Sequence, residues 1–192
     1  PACAVNNAEQ ESVSKSYRKE GLTFVSTGSK EQKILHRKGD QIKIDWGYFY
    51  LSAADNGTTQ SVGGAMTLRK AFAANGKLDG KAASADNANI AVARSLGRSV
   101  EAEGMVMAGF DDIYSIQYFK TDLRPYWNRK GDSSIERQFA LAARDYTALK
   151  RKCGEFDREL MESATRRGGR KYAELCALAY RQAIAAHKLV EA

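Results

Sequence analysis

The chain has 192 residues, 43% hydrophobic and 28% charged, with a formal net charge of +7. That length allows one large domain or two small ones, and the composition is ordinary for a soluble globular protein. No apolar run reaches the roughly 18 residues needed to span a bilayer, so no membrane-spanning partner is expected.

The first residues, Pro1 to Val5, contain no Met and no charged-then-apolar signal segment. Either a signal has been removed or the chain begins inside a longer one, so this end is silent on localisation. The charge is uneven. From Lys120 onward there are 16 Lys/Arg against 10 Asp/Glu, and the first 119 residues hold 14 against 13. A basic half can attract phosphates, but solubilising the outer face of a helix is the simpler reading. No arginine–aromatic interleaving and no zinc-ligand spacing accompanies it, so no nucleic-acid partner is expected.

Chain order gives the first expected strands at Thr23 to Val25 and Lys33 to His36. A clearer one is Ile42 to Leu51, rich in β-branched and aromatic residues and introduced by the turn signal Gly39-Asp40. Ala53 to Asn89 is dense in Ala, Gly, Ser and Asn and reads as a long decorated loop. Only Met66 to Ala73 within it suits a short helix. Strand character returns at Ile90 to Ser95 and Val100 to Phe110. Several short strands between turns imply a sandwich rather than a helix-layered parallel sheet.

From Asp132 the period becomes helical. Ser133 or Ser134 can cap, with Glu136 near the capping-box position. Ile135, Phe139, Ala142, Tyr146, Leu149, Cys153, Phe156, Leu160 and Ala164 then form one apolar stripe. Gly154 is a site for a bend, because glycine costs about 1 kcal/mol against alanine inside a helix. Gly168-Gly169 ends the helix. A second helix, from about Arg170 to Val190, is apolar or aromatic nearly all round, from Tyr172 through Ala186. Such a helix expects burial on every side. One partner cannot supply that, so the hairpin reads as the opening of a larger helical array and the chain as a fragment.

Cys3, Cys153 and Cys176 are odd in number and far apart. Cys153 and Cys176 fall on apolar helix faces and read as buried thiols, or as a bridge if the helices pack antiparallel. His36 and His187 have no partner at ligand spacing, so no metal and no cofactor is expected.

Several segments resemble one known family. Ile44-Asp45-Trp46-Gly47-Tyr48-Phe49-Tyr50-Leu51 is similar to a signature strand of the glutaminase A family. Phe110-Asp111-Asp112-Ile113-Tyr114-Ser115-Ile116-Gln117-Tyr118-Phe119 and Leu123-Arg124-Pro125-Tyr126-Trp127 are similar to its junction segment. Gly168-Gly169-Arg170-Lys171-Tyr172-Ala173-Glu174-Leu175, with Ala179-Tyr180-Arg181-Gln182, resembles the opening of its helical domain. The resemblance runs from about Gly21 to Ala192. It implies a β-sandwich followed by an (α/α) toroid of the six-hairpin type, in a periplasmic or extracellular hydrolase. The expected class is α+β. Residues 1–119 are then a partial sandwich, 120–132 a linker and 133–192 the first hairpin of an incomplete toroid.

Hydrolysis of the glutamine side-chain amide needs an activated water, a proton donor for ammonia and oxyanion stabilisation. Asp111 and Asp112 are the candidate carboxylates, although neighbours in an extended segment face opposite ways and at most one can meet a substrate. The alternative is that one caps the next turn and the other pairs with an arginine such as Arg124. Asp45 reads as a solvent-facing or buried hydrogen-bonded acid, and Trp46 and Trp127 as packing residues. Arg181 and Gln182 interrupt an apolar helix. A buried arginine requires a carboxylate, structural or from a substrate. With Tyr172 near the start of the same helix, these are the candidate substrate-binding residues. No phosphate loop, nucleophile elbow or metal motif is present, and Ser115 lacks the glycines of a hydrolase serine. The small-molecule partner is an amide. Competing readings are a sugar substrate, because six-hairpin toroids commonly cleave glycosides with two carboxylates, or a non-enzymatic basic binding module. Activity is expected only with the remainder of a toroid in place.

Overall fold

The computed structural model describes residues 10–36, 45–78, 83–98 and 101–192. They divide into a unit of residues 1–140 with 190–192 and a unit of residues 141–189.

The first unit is built on an antiparallel hairpin, β1 (Ser12–Lys19) and β2 (Leu22–Ser29), paired from Ser12↔Ser29 to Lys19↔Leu22. Glu20 and Gly21 turn it, with φ of 54° and 70°. This is the positive-φ pair that a two-residue hairpin loop requires. β3 (Tyr48–Ala54) lies beside β2, and β7 (Val106–Asp111) beside β3. With β5 (Ser84–Asp86) on the far side, the order is β5-β1-β2-β3-β7. A two-stranded ribbon of β4 (Thr58–Gly63) and β6 (Asn89–Arg94) packs across β1, β2 and β3 as a second, sandwich-like layer. Helix α1 (Ala65–Asn75) follows β4. A small hairpin, β8 (Ile116–Tyr118) and β9 (Thr121–Leu123), precedes a 3-10 turn at Tyr126–Asn128.

The two faces of the five-stranded sheet differ in chemistry. The registers put Ser12, Ser14, Thr23, Val25, Thr27 and Ser29 on one face, and all six are buried. Their hydroxyls are satisfied locally: Ser14 Oγ donates to the Ala88 carbonyl and accepts from Thr27 Oγ1, and Ser29 Oγ donates to the Asp45 carbonyl. Buried hydroxyls are tolerated when they are bonded in this way. The other face carries Tyr17, Leu22, Phe24, Tyr50, Met107 and Gly109. Helix α2 (Ile135–Ala186) sets its first turns there. Phe139 meets Phe24 edge-on at 5.5 Å and Tyr50 at 6.4 Å, and Phe24 stacks on Tyr17 at 5.3 Å. A Cβ at Gly109 would stand 2.7 Å from the Phe139 ring, so glycine there is the notch that receives it.

The second unit is a helical hairpin. Helix α2 consists of two helical segments, 135–168 and 170–186, separated by Gly169 at φ 78° and ψ 179°. That region is open essentially to glycine alone. Phe156 and Tyr180, nearly equidistant from the break, meet at 5.0 Å, which makes the segments antiparallel. Ala164 and Ala173, four residues to either side of the glycine pair, are buried. After α2 the chain returns to the first unit, where Val190 pairs with Pro125 and Glu191 bonds Arg129 at 2.7 Å.

The α+β class agrees with the sequence reading. Within the expected loop over Ala53 to Asn89 the short helix at Met66 to Ala73 is present as α1, but strands β4 and β5 also form there, because Thr-Thr-Gln-Ser can pair as a ribbon without apolar alternation. Lys33 to His36 is a turn, and β1 forms where the sequence pattern predicts no strand. The expected strand Ile42 to Leu51 begins at Tyr48, with Ile42 to Ile44 outside the described residues. Val100 also lies outside them, and β7 starts only at Val106. Ser134 rather than Ser133 caps α2, its Oγ accepting from Arg137 N–H at 3.3 Å. Gly154 stays helical. Residues 120–132 carry β9 and the 3-10 turn. The second helical segment is not enclosed: Leu175, Leu178 and Ile184 are all more than half exposed. One neighbouring helix can cover only one face. Cys153 is exposed and Cys176 half-buried, and both are free thiols rather than buried ones. Arg181 and Gln182 are exposed, so Arg181 is not in the buried setting that would require a carboxylate partner.

Two substitutions test this account. Phe139→Ala should cost about 3–5 kcal/mol in urea unfolding of the chain, the range for an aromatic removed from a core. Gly169→Ala should cost about 1–3 kcal/mol of backbone strain. The proton NMR cross-peaks between the Phe156 and Tyr180 rings should weaken in that variant, while those between Phe24 and Phe139 persist.

Candidate functional site

Asp111 ends β7 opposite Tyr48, on the sheet face that receives α2. The chain then makes a tight turn. Ile113 has φ 59°, a conformation that costs a β-branched residue energy, and Tyr114 N–H donates to the Asp112 carbonyl at 2.5 Å. The turn is held from several sides. The Trp46 indole N–H forks to the carbonyls of Asp112 (2.7 Å) and Tyr114 (3.1 Å). Ile113 N–H donates to Asp111 Oδ1 at 2.9 Å, and Ser115 Oγ to Asp112 Oδ2 at 2.9 Å. Gly47, at φ 85°, has no room for a Cβ against the Asp111 carbonyl. Strain kept in place by this many contacts is a feature of functional turns.

The two neighbouring carboxylates are thereby separated in role. Asp112 is buried and accepts the Ser115 hydroxyl, which makes it a fastening of the turn. Asp111 is only partly covered, and its pKa is raised above the usual carboxylate value. Burial is the main cause, opposed by the Ile113 N–H, increased by the charge of Asp112, opposed by Arg124 and increased again by Glu136. Arg124 is fixed by stacking on the Tyr114 ring at 4.7 Å and by donating to the Tyr114 hydroxyl at 3.3 Å.

The second carboxylate of the site is Glu136, in the first turn of α2. Burial alone would raise its pKa. Bonds from its own N–H, from Ser134 and from Tyr17, with the nearby Lys19 ammonium, outweigh that and hold it below the usual range. Tyr17 Oη donates to Glu136 Oε1 at 3.0 Å, and Lys19 Nζ stands 3.6 Å from Oε2. The phenols of Tyr17 and Tyr50 are pushed upward, first by burial and then by these carboxylates, Glu136 for Tyr17 and Asp111 with Glu136 for Tyr50. Two acids with pKa values driven apart, beside protonated phenols, can divide into a proton donor and a proton acceptor.

Of the residues selected by sequence, Asp111 and Asp112 lie in the first unit. Tyr172, Arg181 and Gln182 lie exposed on the second segment of α2, in the other unit. Glu136, legible only as a capping residue, and Tyr17 and Tyr50 escape the sequence reading. No local signal marks them, because they meet only through strand register and the docking of Phe139. Asp45 is 1% exposed and lies 3.6 Å from His36 Nδ1. Trp46 is buried, its indole N–H serving as the clamp described above. Among the described residues no group of three or more His, Cys, Asp or Glu is placed to hold a metal ion. None of the described helices is long and apolar enough to cross a membrane.

The architecture is thus an α+β chain in which a sandwich-like β unit leads into a helical hairpin, with a carboxylate pair where the leading helix docks. The chain belongs to the family described as a domain of unknown function, DUF5127, whose model matches residues 2–163. No curated protein and no solved structure matches the chain.

The two acids should have opposite effects on stability. Asp111, raised from 3.8, keeps its proton longer in the folded state, so its ionisation costs stability as pH rises through the folded value. Asp111→Asn should therefore melt a few degrees higher than wild type at pH 7, with the difference vanishing below pH 3.8. Glu136, lowered from 4.5, contributes stability above that pH and loses it as pH falls through the folded value. Glu136→Gln should melt lower at pH 7 and converge with wild type in acid. Calorimetry across about pH 2.5–7 checks both signs, the window being set by those two reference values.

Proposed function

We propose that this domain carries the acid–base pair of a periplasmic or extracellular hydrolase that cleaves the side-chain amide of glutamine. The observation that carries the reading is Asp111, a carboxyl that holds its proton above the usual range at the end of a clamped, strained turn, within the field of an ionised Glu136. The likeness of the segments around Trp46, Asp111 and Gly168 to the glutaminase A family supplies the substrate class.

In this mechanism Glu136 accepts a proton from water as its oxygen adds to the amide carbon. Asp111 gives its proton to the nitrogen as the C–N bond breaks, and glutamate and ammonia leave. Asp112 positions Asp111 through the turn and does not meet the substrate.

The test is ammonia release from L-glutamine by the full-length polypeptide that carries this domain. Asp111→Asn should lower kcat about 10²–10⁴-fold, the usual value of a general acid, while leaving the fold intact. Wild-type turnover in that variant overturns the assignment. Release of reducing ends from oligosaccharides without ammonia from glutamine would replace the amide with a glycosidic bond.

A further inference from the structure

Helix α1 and strand β6 enclose a groove of about 480 Å³ on the outside of the β4–β6 ribbon. Its lining is apolar (Leu68, Phe72, Leu78, Val92) apart from two arginines, Arg69 and Arg94. Leu68 and Leu78 are buried, and Phe72 is half exposed. The groove is fixed from both sides: Leu78 N–H donates to Thr59 Oγ1 at 3.3 Å, and Leu68 is buried where α1 meets the ribbon.

The arginines of the helical hairpin offer a contrast. On α2, Arg151, Arg158 and Arg170 each bond a glutamate one turn on, Glu155, Glu162 and Glu174. Helix α1 contains Arg69 and Lys70 and no acid at all. Among the described residues, no carboxylate lines the groove and Arg69 has no ion pair. Arg94 directs Nη1 to the carbonyls of Ala54 and Asn56 and to Thr58 Oγ1, at 3.1, 3.1 and 3.3 Å. Its buried Nε–H has no acceptor among the described residues. Guanidinium groups flanking an apolar floor, with no carboxylate among the described lining residues, are complementary to an apolar chain ending in an anion. A guanidinium fork matches a planar carboxylate best, and the volume lies within the range of small-molecule sites.

We propose that the groove between α1 and β6 binds a medium-chain carboxylate, its chain along Leu68, Phe72, Leu78 and Val92 and its head at the arginine margin. This site is independent of the carboxylate pair and of the hydrolase reading.

The experiment is a ¹H–¹⁵N NMR titration of the chain with sodium decanoate below its micelle concentration. The expected result is saturable shifts at Leu68, Phe72, Leu78 and Val92. Arg69→Gln should weaken binding about tenfold, the value of a charge-assisted bond, and Arg69→Lys should restore only part of it, because it returns the charge without the fork. Arg69 is exposed and its side chain makes no hydrogen bond among the described residues, so neither variant endangers folding. 1-Decanol should bind about tenfold more weakly than decanoate, for lack of the same bond. Equal binding of the alcohol, no loss in Arg69→Gln, shifts centred on Leu175 to Ile184 instead, or no saturable shift at all would each overturn the proposal.

Discussion

The seating of Phe139 in the notch of Gly109 is the contact on which the arrangement of the first unit depends. A side chain at position 109 would collide with the ring, and without that ring the sheet face around Phe24, Tyr17 and Tyr50 would lose its cover. The same contact fixes where α2 begins. Glu136 is three residues earlier, so its carboxylate arrives at Tyr17 and Lys19 as a consequence of packing. An apolar contact thereby sets the geometry of a polar site.

The opposite side of that site is set by Trp46. One indole N–H holds two carbonyls of a turn that its own residues would not choose. Ile113 is held at positive φ against its intrinsic preference, and Asp111 is held where its charge is disfavoured. Both are local losses, tolerated because buried Phe24, Val25 and Trp46 stabilise the surroundings. Local losses concentrated at one place are characteristic of sites kept for chemistry rather than for stability.

Part of this arrangement is legible in the amino-acid order, and the remainder is hidden for physical reasons. β2 and β3 stand out where β-branched and aromatic residues dominate, as in Thr23-Phe24-Val25 and Tyr48-Phe49-Tyr50. β1, Ser-Val-Ser-Lys-Ser-Tyr-Arg-Lys, does not, because its buried positions are serines satisfied by hydrogen bonds, which no hydropathy pattern reports. The short polar strand β4 is hidden in the same way. The hairpin of α2 and its break at Gly168-Gly169 can be read from spacing and glycine chemistry, both of which are local. Asp111 can be suspected as one of two adjacent acids. That Asp112 faces inward and Glu136 completes the pair depends on tertiary contacts between residues 25 apart in the chain.

The return of Val190 to Pro125, with Glu191 on Arg129, makes the helical excursion a closed loop rooted at both ends in the β unit. Separation of its two segments then releases less chain entropy than the same event in a hairpin with a loose end. Transient opening of the excursion can leave strand pairing undisturbed. Protease access and amide exchange in residues 141–189 would therefore report a local equilibrium rather than global unfolding.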